Sequence, residues 1–214
     1  RKISSNRLGW TSEHCKTFLL GNGRSIGEQG VVFQSDRPSA AAAEIREAGS
    51  LKDWKQKVAA LCSGNTMLIA ALSSAFAGPL LEPLQIDSGG LHLRGASSCG
   101  KSTAQRTGVS VWGSPGFKQT WRATGNGLEG VAAACNSTMI VLDEIGEVSA
   151  REAGQTAYML GNGVGKTRAD VTGQPRPSSR WRTMILSSGE ISLADKLAEA
   201  GQRTKAGQEV RLLD

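Results

Sequence analysis

The sequence predicts an α/β fold in which helices flank a parallel β-sheet, with a small strand-containing segment before it. Three runs rich in strand-forming residues, at 89–94, 139–142 and 183–186, support this prediction. Each run is followed by a polar turn and then by helix-forming residues. Strands that alternate with helices pair in parallel, because a helical crossover returns the chain to the same edge of the sheet.

Size and charge set the first limits on function. The 214 residues can form one domain of ordinary size and a small appendage. The formal net charge of +6 is typical of proteins that meet phosphate-bearing partners, although many other proteins share it. Since the first residue is Arg1 rather than Met, we expect the chain to be a fragment.

Cysteine usage and hydropathy predict a cytoplasmic protein. The four cysteines lack C-x-x-C spacing and only two histidines accompany them, so the sequence contains no zinc pattern. Scattered thiols are typical of a reducing compartment. The longest apolar region, 68–81, is interrupted by serines, glycine and proline and falls short of a membrane span. No secretory signal is present, and we expect no membrane partner.

Residues 1–48 are predicted to form a small strand-rich segment. Short apolar pieces alternate there with glycine and polar residues. The Arg-Pro-Ser sequence at 37–39 ends this pattern, and residues 40–49 are predicted to form a short helix that stops at a glycine. We therefore place a domain boundary here and assign residues 49–214 to the core.

Two helices are predicted before the first strand of the core. In residues 51–61, four apolar side chains recur at helical spacing, which favours a core-facing stripe over a binding surface. Residues 65–76 are predicted to form the second helix, whose small residues allow close packing beneath the candidate site. The four apolar residues are Leu51, Trp54, Val58 and Leu61.

Residues 95–102 match the phosphate-loop pattern G-x-x-x-x-G-K-S at every required position. In such a loop, backbone N–H groups and the start of the following helix bind phosphate oxygens. Lys101 is predicted to contact the β- and γ-phosphates of ATP, and the Ser102 hydroxyl to bind Mg²⁺. The alternative is a glycine-rich turn that matches by chance, but the flanking strand and helix favour the phosphate loop. The predicted nucleotide contacts are Gly95, Ala96, Ser97, Ser98, Cys99, Gly100, Lys101, Ser102 and Thr103.

The segment after the loop helix leads to a second informative stretch. Residues 120–127 are predicted to be rich in turns and 128–134 to form a helix. The apolar run 139–142 then ends in Asp143 and Glu144. A continuous apolar run suits a central strand of a parallel sheet, which is buried on both faces.

The two acids are predicted to lie at the carboxyl edge of the sheet, where open α/β sheets bind ligands. Asp143 is expected to hold Mg²⁺, directly or through water, and Glu144 to polarise the water that attacks the γ-phosphate. The alternative is an ordinary strand end with solvated acids. The complete phosphate loop upstream favours the catalytic interpretation.

Residues 161–167 imitate a second phosphate loop, but the spacing rejects it because the position of the required glycine is Leu160. The region that follows is better interpreted as a projecting basic loop. Such a loop could bind a nucleic-acid backbone, or it could be a solvated basic surface. Its basic residues are Lys166, Arg168, Arg176, Arg180 and Arg182.

The third strand, 183–186, is followed by polar residues that could position the lytic water. Ser187 and Ser188 are the candidates and Glu190 is a further possibility. An equally supported alternative is a capping turn before a helix that begins near Ser192.

Near the end of the chain, Arg211 and then Arg203 are candidates for an arginine that stabilises the transferring phosphoryl group of a neighbouring subunit. Both could instead make ordinary surface contacts.

Taken together, residues 95–102, 139–144, 158–168 and 181–190 resemble domain-of-unknown-function family 927, a helicase-like family of bacteria, phages and mobile elements. The sequences Asp143-Glu144-Ile145 and Ser187-Ser188-Gly189-Glu190 are the more specific marks of this resemblance, which covers most of the chain. More distantly, the order of motifs is similar to that of P-loop NTPases of the AAA+ and RecA-like type. The order is similar especially to that of ring helicases of the superfamily-three and minichromosome-maintenance types.

The resemblance implies a role for each basic element. In the ring helicases, the loop between the acidic and polar strands projects into a central pore and holds DNA, which places Lys166 and Arg168 in that loop. Arg211 corresponds to the arginine finger. The sequence has Ser187-Ser188 where an asparagine is usual, and it stops at Asp214 before a helical lid, so we expect a core truncated at its carboxyl terminus.

The predicted function is that of a Mg²⁺-dependent ATPase from a ring-forming DNA helicase or translocase. The expected cofactors are ATP and Mg²⁺, and the expected partners are DNA, mainly single-stranded, and further copies of the chain in a hexameric ring. Two alternatives stay open. One is a nucleotide-dependent regulatory switch, and the other is an assembly module that binds nucleotide without hydrolysing it.

Overall fold

The computed structural model describes residues 3–5, 7–12, 14–28, 30–34, 40–169, 174–176, 178–201 and 211–214. The strands are β1 (Ile3–Ser5), β2 (Gly9–Trp10), β3 (Thr17–Leu19), β4 (Ser25–Gly27), β5 (Val31–Phe33), β6 (Gly89–Arg94), β7 (Gln119–Thr120), β8 (Met139–Asp143), β9 (Arg168–Ala169), β10 (Pro175–Arg176), β11 (Met184–Gly189) and β12 (Leu212–Leu213). The helices are α1 (Ala40–Ala43), α2 (Leu51–Trp54), α3 (Thr66–Ala77), α4 (Lys101–Val109), α5 (Gly125–Ala134), α6 (Ala150–Asn162) and α7 (Leu193–Ala198).

A five-stranded sheet forms the centre of the molecule, in the order β12-β6-β11-β8-β7. All four neighbouring pairs are parallel. Strands β6 and β8 therefore both lie beside β11, and their carboxyl ends meet at one edge. The predicted parallel sheet flanked by helices is confirmed.

The apolar run of β8 is buried on both faces, as its sequence predicted. Its residues Met139, Ile140, Val141 and Leu142 are each at most 1% exposed. Helices α3 and α4 pack on each other and on β11, while α5, α6 and α7 pack in succession. None of the helices in the described part of the chain has the length and apolar character that a membrane crossing requires.

The strand-rich segment before the core consists of a β2-β3-β4 antiparallel sheet and a parallel β1-β5 pair. Polar contacts join it to the core. The Trp10 indole N–H donates to the Pro79 carbonyl over 2.7 Å, and the Asn136 amide donates to the Leu8 carbonyl over 2.6 Å. The boundary at 48/49 stays a prediction.

A buried carboxylate links this segment to the core. Glu82, whose side chain is 3% exposed, accepts from Arg7 over 2.8 Å and lies 3.0 Å from Arg182. Removing one member of a buried charge cluster leaves the others without compensation. The segment is thus attached to the core through a charge cluster as well as through apolar packing.

We expect Glu82→Ala to lower the free energy of unfolding by about 2–4 kcal/mol, because two part-buried arginines lose their counter-ion. Urea unfolding measures this effect. Glu28→Ala is the matched control, since the Glu28–Lys16 pair is exposed and its loss should cost about 0.5 kcal/mol or less. Equal effects of the two substitutions would contradict the structural role of Glu82.

Several predicted boundaries differ from the structure. The helix predicted at 40–49 ends at Ala43. In the segment 120–127, which was predicted to be rich in turns, Thr120 ends the short strand β7 and helix α5 begins at Gly125. Strand β11 continues to Gly189 rather than ending at 186. The helices predicted at 65–76 and 128–134 and the helix start near Ser192 are confirmed.

The predicted core stripe of residues 51–61 is wrong at both ends. Leu51 is 66% exposed and Leu61 is 72% exposed. Helix α2 continues into a π-helical turn, Lys55–Ala59, and then into a 3₁₀ turn, Ala60–Cys62. Because a π turn is wider than an α turn, it rotates the following residues away from the face that helical spacing predicts.

Candidate nucleotide-binding site

The predicted phosphate loop connects β6 to α4, so strand, loop and helix occur in the expected order. Gly100 caps the helix with φ of 99°, in the left-handed region that favours glycine. The Gly95 amide donates to the Gly189 carbonyl over 3.2 Å, which fixes the loop beside the end of β11. The amino end of α4 thus presents backbone donors at the carboxyl edge of the sheet.

Lys101 places its charge inside the loop. Its ammonium donates to the Gly95 carbonyl over 2.6 Å and to the Ala96 carbonyl over 2.8 Å. Ser102 and Thr103 follow it and are exposed. A cation, free helix-end N–H groups and hydroxyls at one place form a site suited to an anion such as a phosphate.

Helix α4 is also attached to the acidic strand. The side-chain amide of Gln105 donates to the Leu142 carbonyl over 3.0 Å, and Gln105 is fully buried. This contact connects the phosphate-loop helix to the residue that precedes Asp143. Sequence reasoning did not single out Gln105, because a glutamine within a helix gives no signal of a contact with a strand.

Asp143 ends β8 and lies beside Ser188 of β11. The Ser188 hydroxyl donates to Asp143 Oδ1 over 2.7 Å, and the Lys118 ammonium contacts Oδ2. Burial opposes ionisation of this carboxyl, but the hydrogen bonds from Lys118 and Ser188 outweigh it and hold the pKa of Asp143 below its usual value. Asp143 is therefore a carboxylate at neutral pH.

Glu144 adopts a left-handed backbone conformation with φ of 55°. For a residue other than glycine this conformation costs roughly 1–2 kcal/mol, and such strain is concentrated at functional sites. Its carboxylate accepts a hydrogen bond from the Gly146 amide over 3.0 Å. The structure thus places Glu144 next to Asp143 at the carboxyl edge, with a defined side-chain position.

Ser187 belongs to the core rather than to the nucleotide edge. It is fully buried and accepts a hydrogen bond from the indole N–H of Trp121 over 2.8 Å. Its hydroxyl is 2.8 Å from His92 Nδ1, while His92 Nε2 is 3.0 Å from the Ile191 carbonyl. The carbonyl can only accept, so Nε2 carries the proton and Ser187 donates to Nδ1.

Burial lowers the pKa of His92, which keeps this chain of hydrogen bonds neutral. These contacts use the Ser187 proton and one of its two lone pairs for bonds to His92 and Trp121. The structure thus gives Ser187 hydrogen bonds within the core, and its catalytic role stays a prediction that these contacts do not support. Ser188, the next residue, faces Asp143 and stays a candidate.

The predicted basic loop is a β-hairpin between α6 and β11. Strands β9 and β10 pair antiparallel, and Val164 forms a further bridge with Arg180. Lys166 is exposed on the first arm, and Arg168 is part of β9. The structure thus brings these two basic residues onto one arm of a hairpin.

The two candidate arginine fingers gain no support from their positions. Arg203 lies outside the described residues. Arg211 precedes β12, and its carbonyl accepts from the Gly90 amide over 2.8 Å. Since β12 runs parallel to β6, Arg211 lies at the amino edge of the sheet, opposite the phosphate loop. A β-carbon on Gly161 would lie 2.4 Å from Arg211 Cδ, so the arginine side chain packs on α6.

The donor set at the sheet edge fits Mg²⁺. Ser102 offers a hydroxyl and Asp143 a carboxylate, and Mg²⁺ prefers such hard oxygen ligands. Among the described residues there is no group of three or more histidine, cysteine or acidic side chains that could enclose a metal. Mg²⁺ at nucleotide sites is usually held by one or two protein ligands together with substrate phosphates and water, so it does not require such a cluster.

The fold matches that of solved structures. A structure described as SCCmec type IV Cch, an active helicase, aligns with a TM-score of 0.67 and 21% identity over 92% of this chain. The alignment covers 37% of that helicase, so the chain spans little more than a third of its length. At this identity the match shows the fold alone, which is a parallel sheet flanked by helices.

Two structures of NtrX from Brucella abortus also align with the chain. The complex with ADP has a TM-score of 0.40 and 14% identity over 80% of this chain and 36% of its own. The complex with ATP has a TM-score of 0.41 and 16% identity over 74% of this chain and 40% of its own.

No curated protein matches the chain. A family model described as domain of unknown function DUF927 matches residues 1–180, and the chain belongs to that family.

Proposed function

We propose that this chain is the ATPase core of a DNA helicase or translocase and that it requires Mg²⁺. The observation that carries the proposal is the meeting of the phosphate loop with Asp143 and Glu144 at one edge of the sheet. Gly95 is hydrogen-bonded to the end of β11, and Ser188 of the same strand is hydrogen-bonded to Asp143. One site therefore contains groups for phosphate, metal and water.

Each group has a distinct chemical role in this proposal. Lys101 and the loop N–H groups bind the phosphates, while Ser102 and Asp143 hold Mg²⁺, which supplies charge neutralisation to the phosphoryl group. Glu144 orients the attacking water and takes its proton. Ser188 keeps the Asp143 carboxylate in place through its hydrogen bond.

The hairpin that contains the β9–β10 pair supplies the proposed DNA contact. It carries Lys166 and Arg168 and follows the acidic strand in the chain, and a structure with the same fold is described as an active helicase. Basic side chains bind the DNA backbone largely through charge. We further propose that copies of the chain assemble into a ring that surrounds DNA. A mass that stays monomeric with Mg²⁺ and ATP would contradict this part.

We expect Lys166→Ala/Arg168→Ala to weaken binding of single-stranded DNA. With two fewer phosphate contacts, the slope of log affinity against log salt should become shallower by about 1.4. Fluorescence anisotropy with a labelled oligonucleotide at several salt concentrations measures both quantities. The control is Lys16→Ala/Lys57→Ala, which removes the same charge from exposed ion pairs elsewhere. Equal affinity and slope in the hairpin variant and the parent would reject the hairpin as the DNA contact.

A further inference from the structure

Lys118 contacts the carboxylate that the proposed function assigns to Mg²⁺. It precedes β7, which pairs with β8 so that Thr120 lies beside Asp143. The Lys118 side chain extends along this edge to Asp143 Oδ2. No sequence pattern indicates this contact, because the two residues are far apart in the chain and β7 is only two residues long.

Both oxygens of Asp143 are engaged. Oδ1 accepts from the Ser188 hydroxyl over 2.7 Å, and Oδ2 contacts the Lys118 ammonium. The two contacts differ in kind, since Ser188 is neutral and fully buried in β11, whereas Lys118 is charged and its side chain is 25% exposed. Ser188 can orient the carboxylate, while Lys118 compensates its charge.

We propose that Lys118 is the counter-ion of Asp143 and competes with Mg²⁺ for it, so that Lys118 sets the Mg²⁺ concentration that the nucleotide site requires. This inference rests on the proposed function. Lys118 is a positioning residue in this account, because it acts through Asp143. An ammonium and a divalent cation at the same carboxylate repel each other, so Mg²⁺ binds Asp143 less tightly while Lys118 is in contact with it.

The exposure of Lys118 makes such an exchange possible. A partly exposed lysine can move its ammonium into water on its flexible stem at small cost. The hydrogen bond from Ser188 then still holds Asp143 in orientation. The pair Lys118–Asp143 therefore differs from a purely structural ion pair, whose removal would not change the response of the site to a metal.

A Mg²⁺ titration of the binding of a fluorescent ADP analogue tests this inference. In Lys118→Met, the half-saturating Mg²⁺ concentration should fall about 3- to 10-fold, as expected for loss of a competing charge in a partly exposed pair. Lys118→Arg keeps the charge and should stay close to the parent. Lys57→Met, which breaks the exposed Lys57–Asp53 pair, is the matched control and should not shift the titration.

The same titration in an Asp143→Asn background shows whether Lys118 acts through Asp143. There, adding Lys118→Met should leave the half-saturating concentration unchanged. Suppose that nucleotide binding by the parent depends on Mg²⁺. An unchanged or raised half-saturating Mg²⁺ concentration in Lys118→Met would then overturn the inference. An equal fall of this concentration in the Asp143→Asn background would overturn it too. A parent that binds nucleotide equally with and without Mg²⁺ would instead overturn the proposed metal site, and this inference with it.

Discussion

Lys101→Ala is expected to weaken ATP binding about 100-fold, because it removes the cation expected to pair with the phosphates, and losing one partner of a charge pair in a binding site commonly has effects of this size. The Lys101 ammonium lies inside the loop, hydrogen-bonded to the Gly95 and Ala96 carbonyls. Without it, those two carbonyls face the phosphates with no compensating cation. Equilibrium titration with ATP and Mg²⁺ measures the loss.

Lys57→Ala is the control for this experiment, since it removes the same charge from an exposed ion pair. Its ATP affinity should stay close to that of the parent. A Lys101→Ala protein that binds and hydrolyses ATP like the parent would reject residues 95–102 as the phosphate loop. Thermal unfolding of both variants without nucleotide shows whether a lost affinity reflects a lost fold.

Glu144→Gln is expected to lower ATP turnover by about 10²- to 10⁴-fold, the range that general base catalysis contributes. Glutamine can still accept the hydrogen bond from the Gly146 amide, so the backbone conformation at this position should be retained. It cannot take a proton from water at neutral pH. ATP affinity should therefore change little while turnover is lost, which single-turnover kinetics can separate.

Glu147→Gln provides the matched control three residues further on. Glu147 is exposed, and its carboxylate contacts the Thr120 hydroxyl over 3.4 Å. Turnover in this variant should stay near the parent value. Equal losses of turnover in both variants would show that turnover depends on the negative charge of this edge rather than on Glu144 as the base. Parent-like turnover in Glu144→Gln would exclude Glu144 as the base.

The central features of the site were predictable because their signals are local. The phosphate loop is contiguous in the chain, and its glycine and lysine spacing reflects the geometry of one turn. The acidic strand was predictable since an apolar run indicates burial on both faces, and Asp143 ends that run. The order of the strands in the sheet could not be predicted from the phosphate-loop pattern or from the apolar run. It required the pairing of β11 with both β6 and β8.

A small error in the predicted end of β11 changed the interpretation of two adjacent serines. Side chains alternate between the two faces of a strand. Because β11 continues to Gly189, Ser187 and Ser188 lie within the strand and point to opposite faces. Ser187 contacts Trp121 and Ser188 contacts Asp143. The sequence interpretation ended the strand at 186 and so treated both serines alike.

Contacts between distant residues account for the remaining differences. Lys118 reaches Asp143 only because β7 joins the edge of the sheet, and two residues carry no periodic pattern. Arg211 was predicted to act on the phosphoryl group of a neighbouring subunit. Its position followed from the parallel pairing of β12 with β6, which puts the residue before β12 at the amino edge.

The rate of ATP hydrolysis with and without single-stranded DNA tests the central proposal most directly. It is measured at saturating Mg²⁺ and ATP, with the oligomeric mass determined in the same samples and with Glu144→Gln as the reference for background. The account predicts Mg²⁺-dependent turnover that DNA increases several-fold in the parent and that is absent in Glu144→Gln. Turnover equal to that of Glu144→Gln, or turnover that DNA does not change, would contradict it.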